Sequence, residues 1–277
     1  MNAAEQARQA YWACYNRNTD LGNPVSGDPL TWAFAVPPIV MDILDGKPGT
    51  PDVDWLGEVL RVAPVKRYQL STSGGTEGFK YAINGEYINQ DGIILMSNFK
   101  RYSMQANFDG QLTKRFSVKV NLNPSYTIDT GNEPGGTGYG QGIIGAACAN
   151  NPYTPTYNAD GTYSVNNQLA ETGSYPNAVA IANEVININK RGSFRGNIST
   201  QYTILDELKF NVMLGGSFIG NKGLNFIPKA PELITNTASG RDDSGLALHW
   251  INEYILNYNK SFGDSQLEGL VGFTAEK

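Results

Sequence analysis

Arg101-Tyr102-Ser103-Met104-Gln105-Ala106-Asn107-Phe108-Asp109 alternates between polar and apolar side chains. Phe116-Ser117-Val118-Lys119-Val120-Asn121-Leu122-Asn123 follows it and does the same. A period of two sends successive side chains to opposite faces of a sheet. Here one face is apolar and aromatic, and the other is polar and partly charged. Lipid on the first face and water on the second would satisfy both, as in a transmembrane β-barrel. One half of a soluble sandwich would show the same alternation, so the rest of the chain must decide.

Working outward, the pattern gives eight strands in four pairs: 65–75 with 79–89, 98–110 with 115–128, 192–204 with 208–219, and 248–262 with 266–276. Phe194, Gly196, Ile198 and Tyr202 share one face of the third pair with Phe210, Val212, Leu214 and Phe218. Within pairs the turns are short, as at Gly75-Thr76-Glu77-Gly78 and Gly263-Asp264-Ser265. Between pairs the connections are longer, and 129–191 and 220–247 read as very long. Short turns at one end and long loops at the other is the asymmetry of outer-membrane barrels. Strands of ten to fifteen residues also exceed the usual five or six, and long tilted strands suit a bilayer. The expected fold is all-β, an antiparallel transmembrane β-barrel segment with short periplasmic turns and long extracellular loops. Aromatic residues near strand ends (Tyr68, Tyr87, Tyr102, Tyr126, Trp250, Phe262) suit interfacial girdles, or serve simply as good strand formers.

The remaining segments read as accessories. Residues 2–17 form an amphipathic helix, and Pro176–Ile186 a short one begun by proline. Residues 18–64 carry Pro24, Pro29, Pro37, Pro38, Pro48 and Pro51 and read as surface connection. Thr130–Gly142 is glycine-rich, but no Lys-Ser/Thr follows Gly135-Gly136-Thr137-Gly138, so a phosphate loop is excluded. Asn158–Tyr163 reads as a small hairpin turning on Asp160-Gly161.

Composition narrows the function. Of 277 residues only 17% are charged, 31 are glycine and 15 tyrosine, which suits a β-protein outside the cytosol. A net charge of -5 without a basic cluster excludes a nucleic-acid partner. One histidine (His249) and two distant cysteines leave no metal site, cofactor or histidine triad. Cys14 and Cys148 are either a disulfide or two free thiols. The acid pairs Asp52/Asp54 and Asp242/Asp243 fall in loops rather than across a cleft, so no enzyme is expected. No stretch reaches the length of a membrane helix. The start of the chain also lacks a basic segment followed by an apolar run. An exported barrel would therefore have to be an internal piece of a longer chain. Ligand contact falls most naturally to Tyr153, Tyr157, Asp160, Tyr163 and Tyr175 in the long loop, since aromatic faces stack on sugar rings and carboxylates bind hydroxyls. Self-packing of the loop would use the same residues.

Four stretches then carry a family resemblance: Asp54-Trp55-Leu56-Gly57-Glu58-Val59-Leu60-Arg61-Val62-Ala63-Pro64-Val65, Tyr68–Glu77, Tyr87-Ile88-Asn89-Gln90-Asp91-Gly92-Ile93 and Phe99-Lys100-Arg101-Tyr102-Ser103. Together with Trp250–Tyr254 and Leu270–Ala275 they resemble the barrel of SusC/RagA-type TonB-dependent outer-membrane proteins. The resemblance implies a piece of a barrel of about 22 strands, with residues 1–64 extracellular and 65–277 in the wall. It implies that the plug and C-terminal strands are missing. It also implies uptake of oligosaccharides or peptides across a Gram-negative outer membrane, with a SusD-like lipoprotein as lid and TonB acting through the missing plug. The competing readings are a free-standing eight-strand outer-membrane barrel with a structural or adhesive role, and a secreted glycan-binding β-sandwich.

Overall fold

The computed structural model describes residues 2–131, 142–165 and 175–277. Eight strands form one antiparallel sheet in strict chain order. They are β1 (Val65–Gly75), β2 (Phe79–Asp91), β3 (Asn98–Thr113), β4 (Phe116–Thr130), β5 (Ile186–Leu205), β6 (Leu208–Ile227), β7 (Ser239–Phe262) and β8 (Ser265–Glu276). All eight expected strands are present. β1 pairs only with β2, and β8 only with β7, so the ladder does not close on itself. That open edge-to-edge order is neither a closed eight-strand barrel nor two packed sheets.

Register fixes the faces. Tyr68 pairs with Tyr87, Tyr87 with Tyr102 and Tyr102 with Tyr126, making one aromatic row across four strands. On the same face Phe108, Val120, Ile198 and Leu214 form another row. Leu70 is 80% exposed and Leu248 70% exposed, and most of the large apolar side chains of this face share that openness. A contiguous exposed apolar face of this size needs an apolar solvent or partner. Trp250 departs from the girdle expectation. It pairs with Gly216, level with Leu122 and Gly196, and so sits mid-strand rather than at a rim.

Among the described residues only Ala106 and Gly110 of the sheet are buried. The buried cores lie instead at the long-loop end. Trp55, Val59, Ile94, Ile143, Ala146, Val179, Ile181 and Leu233 make one cluster. Each segment leading into or between the hairpins at that end contributes to it, so the loops fasten one another. The second cluster joins Ala3, Ala7 and Cys14 of α1 (Ala3–Asp20) to Trp32, Val36, Val40 and Tyr153. Helix α1 opens with a capping box in which Asn2 and Glu5 satisfy each other's backbone N–H groups.

Two expectations are corrected here. Residues 18–64 are not mere connection: they carry α2 (Pro38–Leu44) and α3 (Trp55–Val59) and supply buried Trp32, Val36, Val40, Trp55 and Val59. Pro38 stands in the first turn of α2, where a missing N–H costs nothing. The connection between β6 and β7 is also short, since those strands run on to Ile227 and back from Ser239. Beyond the apolar band polar residues enter both faces, as at Asn221, Lys222, Asn225, Arg241 and Asp243, with Leu224 and Phe226 still set among them, so the pattern weakens while pairing continues. β5 starts at Ile186, six residues before the expected bound, although Ile186-Asn187-Ile188-Asn189 itself alternates. The expected helix near Pro176 is α5 (Ala178–Glu184), preceded by α4 (Ile143–Ala149). Gly135-Gly136-Thr137-Gly138 lies outside the described residues.

Candidate functional site

The face opposite the apolar one is a mainly polar wall, with Ile88, Met213, Ile251 and Ile255 set among its polar side chains. Glu86 stands between two arginines: Arg67 Nε donates to its Oε2 at 2.6 Å and Arg101 Nη2 to its Oε1 at 2.5 Å. Cross-strand bonds continue the wall at Gln69–Asn84 (3.1 Å), Asn121–Asn197 (3.2 Å) and Ser125–Ser193 (2.7 Å). His249 is on this face, opposite Ser217. Arg101 Nε is buried without a partner. A charged, hydrogen-bonding wall of this kind suits contact with water and polar cargo rather than lipid. The Arg67–Glu86–Arg101 triad was legible as polar alternation but not as a site. Finding it needed the β1–β2 and β2–β3 registers, which place Ile88 between the two arginines and Glu86 beside that row.

At the loop end the candidate residues separate. Tyr157 and Tyr163 close the expected hairpin through an isolated bridge, their rings 5.3 Å apart and tilted by 30°. Asp160 sits at the tip and accepts from the Thr162 N–H (3.0 Å) and hydroxyl (2.6 Å), which hold its carboxyl below the ordinary range. Tyr157 is 47% exposed, Tyr163 and Tyr175 are half-buried, and burial pushes the Tyr163 phenol up. Tyr153 lies apart, 4% exposed in the α1 cluster, with its phenol raised by burial. It packs the cap and has little surface to offer a ligand. Asn177, fully buried, ties the hairpin to α5. Its Nδ2 donates to the Thr156 and Ser164 carbonyls, and its Oδ1 accepts from Val179 and Ala180 N–H.

The paired acids are engaged structurally. Asp52 accepts from Ala3 N–H at 2.8 Å, Asp54 caps α3, Asp242 meets Lys222 and Asp243 meets Arg241. Among the described residues no three His, Cys, Asp or Glu gather to hold a metal. Cys14 and Cys148 are not joined in a disulfide: Cys14 is buried and its thiol donates to the Ala35 carbonyl, and Cys148 is exposed. No helix among the described residues is long and apolar enough to cross a membrane.

Long paired strands, one exposed apolar face and one polar face define a section of a transmembrane β-barrel. No family model matches the chain. A TonB-dependent receptor of Formosa agariphila is 32% identical over 240 residues, covering 83% of this chain and 23% of its own length. The TonB-dependent receptor SusC of Bacteroides thetaiotaomicron is 25% identical over 256 residues, covering 83% and 24%. In fold, chains of the RagAB peptide importer superpose with TM-scores of 0.65 (closed-closed state) and 0.66 (open-open state). These share 21% and 22% identity and cover 83% and 84% of this chain but 27% of theirs. The chain is a section of a SusC/RagA-like TonB-dependent receptor. It spans under a quarter of the length of the curated relatives it matches. Those relatives are receptors, not enzymes.

Proposed function

We propose that this chain is part of the wall and extracellular cap of a TonB-dependent nutrient importer in a Gram-negative outer membrane. The observation that carries the reading is the two-faced open sheet. Its apolar face suits lipid, its polar wall suits a wet lumen, and its unpaired edges at β1 and β8 suit further wall strands. Residues 65–277 supply the wall. Residues 1–64 join 142–165, 175–185 and 228–238 in the cap, whose shared core supports that grouping. In the intact receptor the Arg67–Glu86–Arg101 wall faces the plug through which TonB would act, and the cap meets a SusD-like lipoprotein.

The cargo we infer is an oligosaccharide or peptide, held at the cap by Tyr157, Asp160, Tyr163 and Tyr175. Uptake of labelled oligosaccharides and peptides by cells lacking the intact receptor, with and without complementation, tests this. Loss of uptake of one class on deletion is expected, while unchanged uptake of both contradicts the reading. Replacing Tyr157 and Tyr163 together by Ala should weaken cargo binding about tenfold, the scale of one lost aromatic stack or two weak ones. Titration calorimetry on the purified receptor reads it.

A further inference from the structure

On the apolar face, two residues beyond the tyrosine row, a second row crosses the sheet. Its members are Lys66, Asn89, Lys100, Ile128, Lys190, Lys222 and Ser244, each paired with the next. Four of the seven positions are lysine and none is acidic. One row further toward the loops the same face carries Asp91 and Asp242 as its acids, with Ile188 and Leu224 between them. Asp91 accepts from Asn98 at 2.8 Å, and Asp242 meets Lys222 at 3.6 Å. Four lysines against two aspartates leave the belt cationic. Among the described residues no carboxylate pairs with Lys66, Lys100 or Lys190.

Position along the strands gives the belt its meaning. From Lys100 to Gly110 β3 advances about 34 Å at ~3.4 Å per residue. Tilted by roughly 40°, that becomes about 26 Å, close to the height of an outer-membrane apolar band. On β1 and β3 the lysines therefore end the band at the long-loop side, just outside an aromatic girdle, while on β5 and β6 Ile188 and Leu224 follow them on the same face. The lysine stems lie along apolar surface and their ammonium groups reach headgroup level. Lys190 and Lys222 are also directly opposed on neighbouring strands. Like charges so placed repel unless an anion offsets them, and Asp242 reaches only Lys222.

We infer that this row is a docking belt for phosphate-bearing headgroups of the surrounding outer-leaflet lipid, with the Lys190–Lys222 pair as its strongest point. The inference rests on the outer-membrane reading above, and the test separates the two. Purified intact receptor in neutral detergent is titrated with phosphorylated lipid A and with its dephosphorylated form, and bound lipid is counted by native mass spectrometry. The expected result is a preference for the phosphorylated form that falls with salt and drops about tenfold in K190Q/K222Q. It should be retained in K190R/K222R and in R191Q, which alters the opposite face. Equal affinity for both lipids, or a K190Q/K222Q receptor that binds as the parent does, overturns the belt. Membrane fractionation of the same variants keeps the readings apart. A receptor found in the outer membrane but lacking the phosphate preference sinks the belt alone, whereas absence from that membrane sinks both.

Discussion

Asn177 concentrates the stability of the loop cap in one side chain. It caps α5 with its carbonyl oxygen and holds two loop carbonyls with its amide, all without exposure to solvent. Asn177→Ala loses a cap worth about 1 kcal/mol and leaves two buried carbonyls short of a donor. The expected loss is about 3 kcal/mol, seen as weaker hydrogen-exchange protection of α5 amides in the intact receptor. Protection unchanged within ~0.5 kcal/mol would contradict that role. Glu184, near the end of the same helix, has its carboxyl raised above the ordinary 4.5, first by burial and then by Glu232 beside it. A raised acid is favoured protonated in the fold. Its contribution is therefore full below the ordinary carboxyl range and is lost as pH rises through the raised value. Protection of α5, corrected for intrinsic exchange, should fall as pH rises above the ordinary carboxyl range in the parent and stay flat in Glu184→Gln. Asp160 has the opposite sign, so the contribution of its turn is lost on acidification.

At the scale of elements, the sheet tests its own faces. Leu122 pairs with Ala106 and Gly196 at mid-height of the apolar face, while Asn107 stands on the polar wall opposite Asn121. Leu122→Arg should cost about 2–4 kcal/mol, the penalty of a cation at the bilayer midplane. Asn107→Arg should change stability by less than about 0.5 kcal/mol. Denaturant titration of the receptor in lipid vesicles measures both, and equal costs would argue against two different solvents. The strands themselves were legible wherever one face meets an apolar solvent, as in Tyr102–Phe108. They became harder to read where polar residues enter both faces, as in Asn221–Asn225 against Arg241–Asp243, with Leu224 the one large apolar side chain among them. The cap was harder to read. Trp32, Val36 and Val40 are spaced by four among prolines, and only contacts with α1, distant in sequence, reveal them as core. Of the candidate contacts, the Asp160-Gly161 turn announced its hairpin, because Gly161 adopts a φ of +83° that suits glycine. The burial of Tyr153 depends on a contact no local pattern encodes.

For the whole molecule, the sheet has almost no core of its own, and its stability must come from what covers its two faces and two edges. Two small buried residues, Ala106 and Gly110, cannot hold eight strands. Backbone pairing satisfies the ladder, but the surrounding solvent decides which way it faces. The loops, by contrast, carry their own two cores, so the cap is the part that holds its shape by packing. This division explains why alternation, rather than any motif, identifies the wall. The most direct measurement is a cysteine scan along β6 from Lys209 to Gly223 in the intact receptor reconstituted in vesicles. Each site carries a nitroxide and is read for collision with oxygen and with a water-soluble nickel chelate. The account predicts oxygen maxima at even positions from Phe210 to Gly220, giving way to nickel at Lys222, with odd positions out of phase. Accessibility without a period of two, or with oxygen maxima at the odd positions, would contradict it.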